Sequence, residues 1–414
     1  MTRMNKTVKS IYAAFAVILA TLPACTIQAN RSEDTAAAST TEAASPSDSR
    51  VQETVQKLIQ IGARVAGTPA AQQASQFLIE EYRKAGYQTE VQTFTYPKFR
   101  DLGSSVAVNG QTISGEALNN SIAGQANARL VAVPNVGRPN DFASIEVKGA
   151  IAVVRRGEIP FSQKVDNAAK AGAIAVIVIN SEDKPLRGTL SSPAAIPAIG
   201  ITQSNGAKLL NAPSAQVSVN TERRTITGRN VIARLSGVTQ PRLLLGGHYD
   251  SVSGSPGAND NASGTAVVLE TARRLANTPL AREVWFVAFD GEEDGLQGSR
   301  AFVNSVQPQF LSGLAAMFNF DMVGINDRLL IGGSAELRSQ LKQLNSNVPT
   351  FVPALTNSSS DHASFAAKGV PVLFFYRGSD PNYHSPTDRI TNATSLNDTI
   401  QTALASINQV LQSK

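Results

Sequence analysis

Four short apolar segments alternate with helix-like segments in the second half of the chain. They read RLLLGGHYD, EVWFVAFDGEE, AAMFNFDMVG and VPVLFFYRG and lie between residues 242 and 378. The periodicity of apolar residues between and after them predicts helices at about residues 261–277, 296–305, 335–345 and 397–412. Nearly continuous apolar strands that are separated by helices indicate a mostly parallel sheet covered on both faces. The expected fold class is therefore α/β, with a central sheet flanked by helices.

Two amphipathic helices and a strand precede this region. VQETVQKLIQIG and AAQQASQFLIEEYRKAG place apolar residues three and four apart, and the following YQTEVQTFTY has the alternating character of a strand. The chain has 414 residues, of which 42% are hydrophobic. Since a single core stops growing at roughly 250–300 residues, we expect two domains.

Residues 103–225 have a different composition, with few helix-forming charges and many short runs of Val, Ile and Ala. GAIAVVRRG, GAIAVIVIN and IPAIGI predict strands, and FSQKVDNAAKAGA predicts the one helix of a β-rich module. A small β-sandwich is the alternative reading of this module, and its sequence contains no plausible catalytic group. Because strand–helix alternation resumes after Arg229, the module is predicted to be inserted into an α/β domain formed by residues 49–102 and 226–414.

The first 25 residues have the pattern of a lipoprotein-type signal peptide. Arg3, Lys6 and Lys9 precede an apolar stretch that ends at LPAC, where Cys25 is the only cysteine of the chain. Cleavage before Cys25 would leave a lipid-anchored protein on a flexible tether, residues 26–48, and cleavage near Ala29 is the alternative. Both versions predict an exported protein without an internal disulfide bond, either a cell-envelope lipoprotein or a secreted protein.

The net charge of +5 is partly due to this segment, because residues 1–24 carry three basic and no acidic residues. The charge therefore gives no reason to expect a nucleic-acid partner. Contact with a membrane is expected only through the lipid anchor at Cys25.

Imidazole and carboxylate side chains follow four of the predicted strands. In an open α/β sheet, ligands bind beyond the carboxyl ends of the strands, so these side chains are expected to meet at one edge. Carboxylates packed together repel one another unless cations lie between them, and zinc accepts both imidazole nitrogen and carboxylate oxygen. The groups are too many for one tetrahedral zinc with an open position, but they suit two metal ions about 3.5–4 Å apart. They are His248, Asp250, Asp260, Glu292, Glu293, Asp321 and His384.

These residues lie in five motifs, in this order: H-x-D, G-x-x-D-N-x-S-G, D-G-E-E-x-G-L-x-G-S, F-x-x-D-M-V-G and Y-H-S-P-x-D. Over residues 50–414 the set resembles the co-catalytic di-zinc aminopeptidases. The run order of residues 103–225 resembles the protease-associated (PA) domain that one subgroup of this family carries as an insert. The resemblance implies the zinc exopeptidase fold and two zinc ions per chain. The implied ligands are His248 and Asp321 for one zinc, Glu293 and His384 for the other, and Asp260 as the bridge.

Three further residues receive roles beside the metals. By the resemblance, Glu292 is the general base, which takes a proton from the attacking water and passes it to the leaving amine. Asp250 lies two residues after His248, so on an extended chain its carboxylate shares a face with the imidazole and accepts the second N–H. Tyr383 resembles the family's tyrosine whose hydroxyl assists the oxyanion, and a packing aromatic is the alternative.

Four other residues lie close to the motifs. The family has a segment similar to Asp361–His362 that supplies no metal ligand, so a supporting or substrate-side role is expected. Asp290 and Asp294 flank the glutamate pair and are expected to be hydrogen-bonded and solvated, respectively.

Together these features predict an exported, metal-dependent aminopeptidase that removes N-terminal residues from peptides with a free amino terminus. The alternatives are a carboxypeptidase or dipeptidase of the same family, or a single-zinc glutaminyl cyclase. Glutamate-carboxypeptidase-type enzymes resemble a longer chain with a C-terminal helical domain, and glutaminyl cyclases lack the inserted module. The transferrin receptor resembles this architecture as a binding protein, but its ligand set is broken, whereas the set is intact here.

Overall fold

A computed structural model describes residues 46–209, 211–344 and 360–412. The predicted signal segment, with Cys25, and almost all of the predicted tether lie outside the described residues. Within these three ranges, no helix is both long enough and apolar enough to cross a lipid bilayer.

Two helices and a long strand begin the described chain, namely α1 (Pro46–Ile61), α2 (Pro69–Lys84) and β1 (Gln88–Asp101). Helix α1 begins inside the segment that the sequence predicts as tether. Helix α2 begins where the Thr68 hydroxyl accepts a hydrogen bond of 3.3 Å from the Ala71 amide, with Pro69 in its first turn. The N-cap and the proline therefore mark the start of the helix that the amphipathic pattern predicts.

Seven strands in the region of the predicted insert form a closed barrel, with the neighbour order β2-β3-β7-β6-β5-β4-β8. The strands are β2 (Ser104–Val108), β3 (Gln111–Ala117), β4 (Gly124–Ala132), β5 (Ile151–Arg155), β6 (Ala175–Ile179), β7 (Ala198–Ile201) and β8 (Ser214–Val219). Because β8 pairs with β2, the sheet closes on itself, and the alternative of a β-sandwich is wrong.

Two helices belong to this region, α3 (Phe161–Lys170) and α4 (Gln203–Leu209), so the prediction of a single helix is wrong. Helix α4 has seven residues and contains Gly206, which gives it little amphipathic signal. A Cβ at Gly206 would lie 2.3 Å from the Ile179 side chain, so close packing on β6 accounts for the glycine.

The barrel is connected to the rest of the protein by two long paired strands. Strand β9 (Thr221–Arg234) is antiparallel to β1 along its whole length, from the pair Gln88 and Arg234 to the pair Asp101 and Thr221. The predicted boundary at residue 225 therefore lies inside a strand.

The remaining elements alternate between strands and helices, as the apolar segments predict. They are β10 (Leu243–His248), α5 (Gly264–Leu275), β11 (Val284–Phe289), α6 (Gln297–Ser305), α7 (Pro308–Ser312), β12 (Ala316–Phe320), β13 (Leu330–Gly333), α8 (Ala335–Leu344), α9 (His362–Ala366), β14 (Val372–Tyr376) and α10 (Ala393–Gln412). The second sheet has the order β1-β9-β11-β10-β12-β14-β13. Its four central strands, β11, β10, β12 and β14, are parallel, and antiparallel strands lie at both edges. The predicted α/β class is confirmed.

Both faces of this sheet are covered, and every residue of β10, β11 and β12 is buried. Side chains alternate along β10, so Leu243 and Leu245 join the core on one face and Leu244 joins the core on the other. The central strands are thus held on both sides, and their carboxyl ends form a fixed edge.

Candidate metal centre and active-site cleft

His248 is the last residue of β10, and its imidazole is buried at the carboxyl edge of the sheet. Its backbone carbonyl accepts a hydrogen bond of 2.7 Å from the Thr265 hydroxyl on α5. The Nδ1 atom lies 3.2 Å from the backbone oxygen of Asp250 and 3.5 Å from its Oδ1 atom. Asp250 therefore lies beside the ring nitrogen that faces away from the other acids.

The Asp250 carboxylate also contacts the backbone of the glutamate pair after β11. Its Oδ1 accepts a hydrogen bond of 3.2 Å from the Glu292 amide, and its Oδ2 accepts one of 3.3 Å from the Glu293 amide. One carboxylate thus links the loop after β10 to the loop after β11.

Asp260 lies in a kinked turn, Ala258–Ser263, directly before α5, and its φ of −111° and ψ of 91° are not helical. The Asp388 carboxylate accepts hydrogen bonds from the amides of Asn259, at 2.8 Å, and Asp260, at 3.1 Å, and so holds this turn. The start of α5 approaches the end of β12 closely, because a Cβ at Gly264 would lie 2.1 Å from the Phe320 carbonyl oxygen. These contacts direct the Asp260 carboxylate toward the carboxyl edge of the sheet.

The two oxygens of Asp260 face two different imidazoles. Oδ1 lies 3.3 Å from Nε2 of His248, and Oδ2 lies 3.2 Å from Nε2 of His384. Asp321, after β12, faces His248 at 3.4 Å, and Glu293 faces His384 at 3.0 Å. The five groups therefore form two sets that share one carboxylate.

Ser360 and Asn319 hold Asp321 in this arrangement. The Ser360 hydroxyl donates a hydrogen bond of 2.7 Å to Oδ2 of Asp321 and accepts one of 2.7 Å from Nδ2 of Asn319. Ser360 also borders the cleft above the acids. This role is not visible in the sequence, since serine is common in loops.

The donor set fits divalent zinc. In a tetrahedral site with bonds of about 2.0–2.1 Å, neighbouring ligand atoms lie about 3.3 Å apart, which matches the separations of 3.0 to 3.4 Å found here. Within the described residues, Nε2 of His248, Oε1 of Glu293 and Oδ1 of Asp321 are buried without a hydrogen-bond partner. Buried polar atoms of this kind need a partner, and a cation between them would supply it.

Ligand atoms of His248 lie within 4.8 Å of two different pairs of acids. One pair is Glu292 with Asp321, and the other is Asp260 with Glu293. Distance alone thus permits more than one division of the acids between two ions. The contacts of the two Asp260 oxygens favour the division in which Asp260 is shared.

Mutual contacts shift the pKa values of the set around His384. Hydrogen bonds to Asp260 and Glu293 raise the pKa of His384 to about 10. Burial raises the pKa of Glu293 to about 7, although the contact with His384 opposes this shift. Burial also acts to raise the pKa of Asp260, but the contacts with both imidazoles outweigh it and leave the pKa below its usual range. In the metal-free protein, this set therefore holds protons at neutral pH.

The pKa values of Glu292 and His248 are also raised. Burial raises the pKa of Glu292 well above its usual range, although His248 opposes this shift. Burial acts to lower the pKa of His248, but the carboxylates of Glu292 and Asp321 outweigh it and raise the pKa well above its usual value. Glu292 is thus a carboxyl group with an increased affinity for protons, as a general base requires.

A cleft of about 620 Å³ opens above these groups. Its apolar lining consists of Leu296, Met322, Phe374, Tyr376 and Tyr383. Leu296, Met322 and His384 have φ values of 61°, 52° and 56°, a left-handed conformation that is uncommon outside glycine. Such residues concentrate at functional sites, where the surrounding structure enforces the conformation.

Tyr383 borders the same cleft and is 51% exposed. Its ring stacks on the imidazole of His384. The structure therefore brings together the residues that the sequence selects as catalytic or metal-binding.

Asp361 and His362 are fully buried and do not line the cleft, so a substrate-side role is wrong for both in this structure. His362 instead stacks on Phe374 at 4.5 Å between ring centroids, which supports the apolar wall of the cleft.

Asp290 is buried and accepts a hydrogen bond of 2.9 Å from the Arg229 amide, as expected. Asp294 is not solvated, which corrects the sequence-based expectation. It accepts a hydrogen bond of 2.6 Å from the Tyr96 hydroxyl and forms an ion pair of 2.8 Å with Lys98, and its side chain is 17% exposed. Strand β1 covers this acid, and no local pattern reveals a contact between residues so distant in sequence.

The chain is similar to known proteins over most of its length. Residues 230–407 match peptidase family M28, and residues 126–209 match the PA domain. The probable lipoprotein aminopeptidase LpqL of Mycobacterium tuberculosis is 30% identical over 382 residues, which cover 80% of this chain and 76% of LpqL.

Two solved structures have the same fold over most of their length. An aminopeptidase from Aneurinibacillus sp. strain AM-1 has a TM-score of 0.75 at 32% identity, covering 88% of this chain and 93% of its own. BSAP, a zinc aminopeptidase from Bacillus subtilis, has a TM-score of 0.69 at 27% identity, covering 89% and 96%. The resemblance inferred from the motifs is thus confirmed, and the chain belongs to peptidase family M28 with an inserted PA domain.

Proposed function

We propose that the protein is a zinc-dependent aminopeptidase that removes N-terminal residues from peptides. The observation that carries the proposal is the Asp260 carboxylate, whose two oxygens face the imidazoles of His248 and His384 at 3.3 Å and 3.2 Å. The name aminopeptidase, which LpqL and both structural relatives bear, supports this activity.

In this proposal the chain holds two zinc ions. His248 and Asp321 would hold one ion, Glu293 and His384 would hold the other, and Asp260 would contribute to both sets. The pairwise contacts described above support this division. Bound there, the two ions would lower the pKa of a water molecule and polarise the scissile carbonyl.

Glu292 acts as the general base. Its backbone is held by Asp250, its carboxyl group borders the cleft, and burial has raised its pKa. A group with these properties accepts a proton from the attacking water and donates it to the leaving amine. Asp250 orients both Glu292 and His248, and we assign it a positioning role.

The substrate is a peptide with a free amino terminus, whose ammonium group the acids of the cleft attract. Tyr383, whose hydroxyl pKa is raised mainly by burial, stays protonated and serves as a hydrogen-bond donor to the oxyanion. The apolar wall formed by Met322, Phe374 and Tyr376 receives the N-terminal side chain.

The proposal extends to the organisation and location of the chain. Residues 1–25 act as a signal peptide and residues 26–48 as a tether, and residues 103–225 form the insert in the peptidase domain. Cys25 carries the lipid anchor of an envelope protein, which the description of LpqL as a probable lipoprotein supports. Labelled palmitate should enter the protein in cells and should not enter a Cys25→Ser variant.

Hydrolysis of aminoacyl-nitroanilides by the purified protein tests the activity. We expect hydrolysis that a chelator abolishes and zinc restores, with two zinc ions per chain by elemental analysis. An N-acetylated peptide should resist cleavage. Release of C-terminal residues from that peptide would indicate a carboxypeptidase instead, and one functional zinc per chain with pyroglutamate formation would indicate a cyclase.

A further inference from the structure

Arg300 is an exposed residue of helix α6 that borders the cleft above the acids. Its backbone amide donates a helical hydrogen bond of 3.0 Å to the Leu296 carbonyl. In the part of the chain that the structure describes, its guanidinium has neither an ion pair nor a hydrogen bond. With respect to the described residues, Arg300 is therefore an unpaired cation at the edge of the candidate active site.

The charge around Arg300 is otherwise acidic. Five carboxylates line the cleft, and among the described residues Arg300 is the single arginine or lysine that does so. The acids nearest the imidazoles contact those imidazoles and are the proposed metal ligands, so they do not neutralise Arg300. A planar guanidinium that is left free in such a cleft offers two parallel N–H donors, the geometry that matches a carboxylate.

The position of α6 indicates which part of a substrate Arg300 meets. Leu296 directly precedes α6 and Arg300 lies in its first turn, and both border the cleft. The amides of Gly295 and Leu296 each donate a hydrogen bond of 2.8 Å to the Glu292 carbonyl, which attaches this wall to the proposed general base. Because Glu292 must reach the leaving amine, the part of the peptide after the scissile bond lies along this wall.

We infer that Arg300 binds a carboxylate on the leaving-group side of the substrate. The carboxylate is either the C-terminus of a dipeptide or an acidic side chain in the residue after the scissile bond. Both lie within about one residue length, roughly 3.5 Å, of the leaving nitrogen. This inference rests on the proposed aminopeptidase function and adds to it a preference on the leaving-group side.

Four substrates separate the two sources of the carboxylate. Leu-Ala and Leu-Ala-amide differ in the C-terminal charge, and Leu-Asp-amide and Leu-Asn-amide differ in the side-chain charge. We expect zinc-loaded wild-type protein to prefer the charged member of at least one pair by about tenfold in kcat/KM. Arg300→Gln should abolish that preference, and high salt should weaken it in the wild type.

Arg282→Gln is the matched control. Arg282 is also exposed and without a side-chain partner among the described residues, but it precedes β11 and so lies at the opposite end of that strand from Glu292. This variant should keep the wild-type preference. Calorimetric binding of the same peptides to Glu292→Gln protein, with and without Arg300→Gln, gives a readout that does not require turnover.

The outcomes are distinct. Equal preferences in wild type and Arg300→Gln, or the absence of a preference in the wild type, would overturn the inference while leaving the aminopeptidase activity in place. If the zinc-loaded wild type cleaves none of the four peptides, the proposed function fails and the inference fails with it.

Discussion

The phenol ring of Tyr383 stacks on the imidazole of His384, with 3.7 Å between the ring centroids and 19° between the ring planes. The two residues are adjacent in sequence, and His384 has a φ of 56°, which brings the neighbouring rings face to face. One aromatic side chain can therefore serve two purposes. Its ring fixes the orientation of a proposed metal ligand, and its hydroxyl can donate to an oxyanion in the cleft.

Tyr383→Phe separates these two purposes. The stacked ring remains, so zinc content should not change, whereas loss of the donor should lower kcat by roughly 10²–10³ with little change in KM. Steady-state kinetics and elemental analysis measure both effects. Tyr383→Ala removes the ring as well and should also reduce zinc occupancy. Wild-type kcat in the Phe variant would leave Tyr383 only a packing role.

Glu292→Gln should keep its zinc and lose turnover. The amide is nearly isosteric with the carboxylate but accepts no proton at neutral pH, so kcat should fall by roughly 10²–10⁴. Glu293→Gln is the matched comparison and should lose zinc, since Glu293 contacts His384 at 3.0 Å. Full activity of the Glu292 variant would remove the general-base assignment.

Zinc binding should release protons at pH 7. The pKa of His384 in the metal-free protein is about 10 and that of Glu293 about 7, so His384 is protonated and Glu293 about half protonated at this pH. Ligands must lose these protons to bind the metal, so apparent affinity should rise with pH up to about 10 and fall in acid.

Calorimetry of zinc binding in buffers of different ionisation enthalpy counts the released protons. We expect more than one proton per chain at pH 7, and about one fewer in a His384→Gln variant. Uptake of protons, or a count independent of pH between 6 and 10, would contradict the described electrostatics.

The sequence predicts that the proposed ligand residues lie close together, because the strands that precede them have a clear apolar pattern. An apolar segment such as VWFVAF can only be a buried strand or a short buried helix segment, and the acids that follow it must then lie at the carboxyl edge. The parallel arrangement brings the edges of β10, β11 and β12 together. Predicting which groups meet there requires the order of the elements and no detailed geometry.

The residues that hold the proposed ligands in place could not be predicted in this way. Asp388 lies within the quoted Y-H-S-P-x-D motif, but its contact with the Asn259 and Asp260 amides joins segments about 130 residues apart. Arg64 lies in IGARVAG, the short connection between α1 and α2, where arginine is usually exposed, yet it is fully buried. Local sequence patterns indicate which face of a helix or strand is buried. They do not indicate contacts between distant segments, which depend on tertiary packing.

Arg64 offers a test of how much such a contact contributes. Its guanidinium donates hydrogen bonds to the carbonyls of Tyr249, at 2.6 Å, and Gly257, at 2.9 Å, and also to that of Pro256. These carbonyls belong to the loop between His248 and Asp260. Because methionine has no N–H donor, Arg64→Met would leave several buried acceptors in that loop unsatisfied. We expect a loss of about 3 kcal/mol or more in the free energy of unfolding.

Urea unfolding with a fluorescence or circular dichroism readout measures this loss. Arg64→Lys should recover part of it, because one ammonium can reach some of the carbonyls. Zinc affinity should also fall in Arg64→Met, since the loop that carries Asp250 and Asp260 becomes less ordered. A midpoint within error of the wild type would mean that the loop is held by its other contacts alone.

The inserted barrel can be removed at a defined point. The Leu102 amide donates a hydrogen bond of 2.7 Å to the Asn220 carbonyl, just beyond the last pair of β1 and β9. Replacing Gly103–Val219 with Asn-Gly should close these strands as a two-residue hairpin. Phe99, which packs on the barrel core, should be changed to Ser in the same variant to avoid an exposed aromatic residue.

This variant should fold, bind zinc and hydrolyse a leucyl-nitroanilide within about twofold of the wild-type kcat/KM, because a small reporter needs only the cleft. Among the described residues, none between 103 and 219 lines that cleft. Long peptides extend beyond the cleft, so their hydrolysis reports separately on contacts with the barrel. An unfolded or zinc-free product would show instead that the barrel stabilises β1 and β9, whose 14-residue pairing would then depend on it.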